Sequence, residues 1–363
     1  YRLLRVATSV ACIAVSTQGL LGMMPPWDYS FAHTIPFVIV MCICRLTQGV
    51  CVTIMEVSNE TISLMLLPKK HVGMVQGIIM ATRVLGVILG PVIGGFLYQA
   101  GCWSLPFIFG GYLEIFAVIV LFLGLGQRAP AKVRPKPDAM SPWQLARIPD
   151  TWFIALPMFM VCMETSLMEP AWQPFLGRRP FSLAPAEIGG FLNNAVIVYM
   201  IFLVVAGMCV NTLGPAVQYL FGAILSGVGL FFIGPSPLLN GAVPQNRPIV
   251  LMGAMVSYTG VAFFVPAIIP LCLEVFSRAG FGQKQVAGVC SSLMTLIICS
   301  ANFIGPPLGG VLIDQLGGVP LTTTCYSFGV LIVSLIAIAP LCKYAKRLDA
   351  ECVERFKGTK DVA

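Results

Sequence analysis

The chain has 363 residues, 57% of them apolar and only 10% charged, whereas an ordinary soluble domain carries about 25% charged residues. Its solvent is therefore lipid. A net charge of +7 does not indicate nucleic acid, because the basic residues avoid the apolar runs and gather in the gaps between them, a pattern that orients membrane proteins. The thirteen cysteines and two histidines form no C-x-x-C pair and no ligand spacing, and no phosphate-cradling glycine loop is present, so nothing points to an enzyme, a metal site or a cofactor.

A bilayer core about 30 Å thick needs about 20 apolar residues per helical crossing. Ten such runs follow one another, over 5–24, 35–66, 73–99, 105–126, 151–176, 187–210, 213–236, 248–274, 285–313 and 319–342. They predict an all-α integral membrane protein whose second helix projects beyond the lipid or tilts within it. The stretch 127–150 is rich in proline, lysine and arginine and reads as a linker. The expected organisation is an amino-terminal bundle over 1–126, the linker over 127–150, a carboxyl-terminal bundle over 151–342 and a tail over 343–363.

Alternate gaps hold Arg2 and Arg5, Lys69 and Lys70, the basic linker, Arg278 and Lys284, and Lys343, Lys346 and Arg347, while the opposite gaps hold only Arg178, Arg179 and Arg247. The first set is expected on the cytoplasmic side, together with both termini and the linker.

The phrase "GPVIGG" at 90–95 returns as "GPPLGG" at 305–310, about 215 residues later. Each copy lies near the end of the next-to-last run of its half, which implies two homologous halves. Gly94, Gly95, Gly309 and Gly310 allow a neighbouring helix to approach, and Pro91, Pro306 and Pro307 disturb the local hydrogen-bond ladder. Four complete crossings precede Gly305 after the linker, but only two precede Gly90. The first two helices of a twelve-helix protein are therefore expected to be missing, with ten present.

Two halves, a basic central linker and two motifs resemble the major facilitator superfamily. Its R-x-x-Q-G pattern stands here as Arg45, Gln48 and Gly49, and its antiporter motif as Gly86, Gly90, Pro91, Gly94 and Gly95, with Gly305, Pro306, Gly309 and Gly310 as the second-half repeat. Within that superfamily, "GPVIGGFLYQAGCWSLPFIFGG", "MEPAWQPFL" and "FFIGPSPLL" are most similar to the vesicular amine transporter branch, particularly its polyamine transporter members. That resemblance implies exchange of protons for a small organic cation by a monomeric transport unit in a vesicular, other endomembrane or plasma membrane. It assigns the family's acidic position in its seventh helix to Glu169, with a family-like glutamate at Glu274. The chain departs from the pattern twice: "GMCVNTLGPAVQ" lacks the usual Asp-Arg gating pair, and Met80 stands where the polyamine branch has an acidic residue.

A charge near the bilayer centre costs at least about 2.5–3.5 kcal/mol, so each needs a partner or a function. The candidates for proton coupling or transport are Glu56, Glu60, Arg83, Glu164 and Glu169; Arg45 and Glu114 are further charges well inside the runs. If the second and third runs form a hairpin turning near Lys70, Glu56 and Arg83 reach similar depth, roughly 20 Å from the turn, which makes an ion pair and leaves Glu60 to bind a proton or cation. A purely structural pair is the alternative. Glu164 and Glu169 are about 140° apart on a helix and should not share a face. Trp172, Asn193, Asn194, Tyr199 and Tyr258 are candidates for a cavity whose aromatic faces attract organic cations, although Trp172 equally suits an interfacial belt. Pro266 and Pro270 would loosen the run 248–274.

The expected function is proton-coupled antiport of a small organic cation, a polyamine or a monoamine, with protons, solute and the lipid bilayer as partners. A broad-specificity drug/proton exporter and a non-transporting receptor or scaffold are the alternatives.

Overall fold

The computed structural model describes residues 2–22, 31–67, 69–100, 104–126, 144, 147–234, 246–281 and 283–358. Most of the basic linker and the last five residues lie outside the described residues. The described elements are helices: α1 (Arg2–Gly22), α2 (Phe31–Leu66), α3 (Lys69–Ala100), α4 (Leu105–Gly126), α5 (Pro149–Met168), α6 (Trp172–Gly177), α7 (Pro185–Leu213), α8 (Pro215–Ile233), α9 (Arg247–Arg278), α10 (Gln283–Gln315) and α11 (Val319–Gly358). Ten of them, all but α6, are long and apolar enough to cross a membrane. Helices suit this solvent because they satisfy every interior backbone N–H and C=O within one segment. With 36 residues, α2 extends about 54 Å at 1.5 Å per residue, longer than the lipid core.

Local chemistry sets the helix ends. Pro149, Pro185 and Pro215 occupy first-turn positions of α5, α7 and α8, where a missing N–H costs nothing. The Glu187 carboxylate accepts the Ala184 N–H at 2.8 Å, and Asn246 Oδ1 accepts the Ile249 N–H at 3.2 Å to cap α9. Asn246→Ala is expected to lower stability by about 1 kcal/mol, read as a lower thermal midpoint in detergent. Gly214, at φ 82°, makes the tight turn from α7 to α8, with its N–H on the Val210 carbonyl at 3.0 Å. The run expected to continue to 176 stops at Met168. Pro170 can neither donate to the helix ladder nor tolerate the preceding turn, and the chain restarts as the short α6.

The chain forms two compact units, one of Tyr1–Ser63 and Gly86–Ala139, the other of Leu64–Leu85 and Met140–Ala363. In the first, α1 lies along α4. Ile108 occupies the space beside Gly19, where a Cβ would come within 2.8 Å, and the Arg5 guanidinium covers the Phe122 ring at 4.9 Å. Ala7 and Ala11 pack with Cys51 of α2.

In the second unit, α8 and α9 make the most extensive contact, while α5 packs on α10 and α11, and α8 on α11. Tyr219 OH donates to the Ile154 carbonyl at 2.5 Å, and its ring stacks 4.3 Å from that of Phe264. Gln218 Nε2 donates to the carbonyls of Ala206 and Phe263, both at 3.0 Å, joining three helices. The first half of α3 lies on α7, where a Cβ at Gly77 would stand 3.0 Å from the Leu203 carbonyl.

The internal repeat extends to whole helices. Shifting α1, α2, α3 and α4 by 215 residues places their starts within two residues of those of α8, α9, α10 and α11, and the α1–α4 packing recurs as α8–α11. Among the described residues no helix corresponds in this register to α5 or α7.

Candidate functional site: a buried carboxyl held by two serines

Along α5 the buried positions include Ile154, Pro157, Val161, Glu164 and Met168, at the three- and four-residue spacing of a single helix face. Glu164 is thus a carboxyl placed in a core stripe, and it is 2% exposed. The facing stripes carry Ser226 on α8 and Ser257 on α9, both buried. Ser226 Oγ donates to Glu164 Oε2, and Ser257 Oγ donates to Glu164 Oε1.

Glycines bring the two hydroxyls to one level. Ser226 lies opposite Gly260, and Ser257 lies opposite Gly229, so the α8–α9 crossing is reciprocal. A Cβ at Gly229 would stand 2.7 Å from Ser257 Cβ, and one at Gly260 would stand 2.7 Å from the Gly222 carbonyl. Only residues without a side chain permit such an approach.

Aromatic residues surround the carboxyl. Tyr258 lies within electrostatic reach of Glu164 and Glu169, and its ring meets that of Tyr199 edge-on at 6.1 Å. Tyr326 also lies within reach of Glu164, and its OH donates to the Met160 carbonyl at 2.7 Å. Two residues beyond Glu164, Ser166 Oγ donates to Asn302 Oδ1 on α10 at 2.5 Å. The second-half repeat seats this helix: a Cβ at Gly305 would lie 2.7 Å from Ser166 Cβ, and one at Gly309 would lie 2.6 Å from the Leu167 carbonyl. A Cβ at Gly310 would meet nothing within 4 Å. Pro306 lies inside α10 between these glycines.

The other sequence candidates are dispersed. Glu169 is exposed at the end of α5, on the opposite side of the helix break from buried Trp172, whose ring lies 6.1 Å from that of Phe191. Asn193 and Asn194 are exposed on α7. Arg45 donates to Gln48 Oε1 at 3.1 Å and covers the Phe107 ring at 5.6 Å, so two members of the R-x-x-Q-G pattern bond one another, while Gly49 is exposed. Glu60 is 5% exposed and Glu56 half-buried. Glu56 and Arg83 belong to different units, so their pairing stays a proposal. Gly86, Gly90 and Gly95 are exposed, Gly94 is half-buried, and α3 continues unbroken through Pro91. Glu274 pairs with Arg278 at 2.9 Å.

Sequence reasoning singled out Glu164 but missed Ser226 and Ser257. A signal was present: "SGVG" at 226–229 and "SYTG" at 257–260 share a serine-x-x-glycine spacing.

The family model for the Major Facilitator Superfamily matches residues 3–299. The chain belongs to the major facilitator superfamily. It is 24% identical over 286 residues to the human MFS-type transporter SLC18B1, covering 78% of this chain and 61% of that protein. It is 23% identical over 288 residues to the human synaptic vesicular amine transporter, covering 77% and 50%. Multidrug resistance protein 2 of Bacillus subtilis (strain 168) is 24% identical over 247 residues, covering 66% and 58%. The chain thus spans between half and about three-fifths of the length of these curated relatives. Among solved structures, the proton:xylose symporter XylE bound to 6-bromo-6-deoxy-D-glucose superposes with a TM-score of 0.71 at 12% identity, covering 92% of this chain and 78% of that one. A bacterial homologue of the iron transporter ferroportin, in the outward-facing state, gives 0.68 at 15% identity, covering 94% and 84%. These likenesses establish the fold. This superfamily member is a multi-pass membrane protein, and its family is one of transporters, not enzymes.

Proposed function

We propose that this chain is part of a secondary transporter that exchanges protons for a small organic cation, a polyamine or a monoamine, by alternating access. The observation supporting this reading is Glu164, which receives two hydroxyl donors and, among the described residues, is paired with no cationic side chain. A carboxyl kept in a membrane interior without a countercharge needs a proton or a cation to offset its charge. It can therefore take up the driving proton at one step and lose it at another. The Tyr199–Tyr258 pair supplies aromatic faces of the kind that hold an organic ammonium, and Glu169 offers a second carboxylate at the helix break. By the basic-residue pattern, the termini and linker face the cytoplasm, and the resemblance to a synaptic vesicular amine transporter favours an endomembrane.

The test uses the protein from the complete reading frame, reconstituted in liposomes under an imposed pH gradient, with labelled spermidine and a labelled monoamine as probes. Wild type is expected to accumulate at least one of them, and Glu164→Gln to lose gradient-driven accumulation while retaining solute-for-solute exchange. Gradient-driven accumulation by Glu164→Gln at the wild-type rate would overturn the role given to Glu164. The similarity to Multidrug resistance protein 2 favours a second reading, a broad-specificity exporter. Competition by structurally unrelated cations at similar concentrations would select it over an amine carrier.

A further inference from the structure

Glu164 is 2% exposed and its two serine donors are buried with it, so a proton reaches this carboxyl from water only through an intermediary. Glu169 ends the same helix in the open. The two carboxyls stand about 7.5 Å apart along α5 and about 140° apart around it. That separation exceeds the roughly 3 Å over which a proton passes directly between hydrogen-bonded groups.

The groups around Glu164 differ in what they can pass on. Ser226 and Ser257 already donate to it and are shut off from solvent. Tyr326 of α11 lies within reach, but its hydroxyl is committed to the Met160 carbonyl at 2.7 Å. Cys162, earlier on α5, offers only the weak donor of a thiol. From α10 the neighbour near this level is the Asn302 amide, which does not titrate. Tyr258 is different. It follows Ser257 on α9, is half-buried, and lies within electrostatic reach of both Glu164 and Glu169. Among the described residues no protein group accepts from its hydroxyl, whereas the hydroxyls of Tyr219 and Tyr326 are each held by a backbone carbonyl. Tyr199 of α7 meets the ring edge-on at 6.1 Å, and Arg83 of α3 lies within reach of Tyr199. A phenol donates and accepts at once, so an uncommitted hydroxyl within reach of two carboxyls can connect them.

We propose that Tyr258 is the proton relay between Glu169 at the open end of α5 and Glu164 in its buried stripe. The relay rests on the proton-binding role given to Glu164 above. In the loading step the protonated Glu169 carboxyl gives its proton to the Tyr258 oxygen as the Tyr258 O–H proton passes to the Glu164 carboxylate. Two O–H bonds break and two form, the phenol ends neutral, and the negative charge moves from Glu164 to Glu169. The reverse sequence empties Glu164. With the linker on the cytoplasmic side, α5 begins there and ends at the opposite face, so the relay opens to the lumen or exterior. Ser226 and Ser257 hold the receiving carboxyl, and Tyr199 holds the relaying ring.

The test uses the full-length protein in lipid nanodiscs. Time-resolved infrared difference spectroscopy after a drop in pH follows the carbonyl stretch of protonated Glu164, a band identified by its loss in Glu164→Gln. Tyr258→Phe keeps the ring and removes the hydroxyl, and Glu169→Gln removes the entry carboxyl. Each is expected to slow the appearance of the band by at least about tenfold, since a positioned proton-transfer group contributes about 10²–10⁴-fold. The double variant should be no slower than the slower single one, because both act on one path. A smaller slowing in either single variant, or effects that multiply in the double variant, would overturn the relay. A wild-type protein without the band would instead overturn the proton-binding role of Glu164, and the relay with it.

Discussion

Gly260→Ala is expected to leave little folded, monodisperse protein in detergent, whereas Gly310→Ala should behave as wild type or slightly better. At position 260 the new Cβ would fall on the Ser226 backbone and stand 2.7 Å from the Gly222 carbonyl, so no flexible side chain can yield. Adding a methylene to a filled core typically costs about 1–3 kcal/mol. Here backbone meets backbone, and relief requires parting α8 from α9, so a loss above about 3 kcal/mol is expected. Gly310 has no neighbour within 4 Å of its Cβ position, and alanine is the better helix former by roughly 0.5–1 kcal/mol. Thermal midpoints of the two variants decide the matter. A wild-type midpoint for Gly260→Ala would mean that the reciprocal serine–glycine crossing does not hold these helices together.

The second large effect concerns the carboxyl. Ser226→Ala combined with Ser257→Ala removes both donors from Glu164 while leaving it buried. Hydrogen bonds to a charged group contribute about 1.5–3 kcal/mol each, and a buried charge stripped of its partners costs about 3–5 kcal/mol. The double variant should therefore lose most of its folded fraction. Adding Glu164→Leu should restore much of it, because an apolar side chain on this stripe needs no donor. The double-mutant cycle between position 164 and the serine pair isolates that coupling. If the triple variant proves as unstable as the double one, the serines support the fold by packing and not through the carboxyl.

The ten crossings were legible in the sequence because the bilayer imposes a length and an apolar composition on every segment that spans it. The repeat was legible for a related reason. Gly305 and Gly309 admit the close approach of α5, and their phrase recurs at Gly90 and Gly94, so it marks equivalent positions in the two halves, and the helix bounds follow the same register. Glu164 also stood out, since a charge inside a membrane run is costly and therefore rare. The end of α5 did not. Apolar residues continue past Pro170, so composition alone ran the helix on to 176, while the proline's missing donor stops it at Met168.

What hydropathy could not supply was the identity of the groups that meet. Ser226 and Ser257 are ordinary small residues in apolar helices, and they become carboxyl donors only because Gly229 and Gly260 bring α8 and α9 into reciprocal contact beside α5. Similarly, the two copies of the glycine-proline phrase look alike in sequence, yet Gly305 and Gly309 are buried against α5 while Gly90 and Gly95 are exposed. Element type and span follow from local composition against a fixed solvent, and one chain segment carries that information. A binding site requires groups from helices 62 and 93 residues apart to share one point, and only tertiary packing decides which faces turn toward each other.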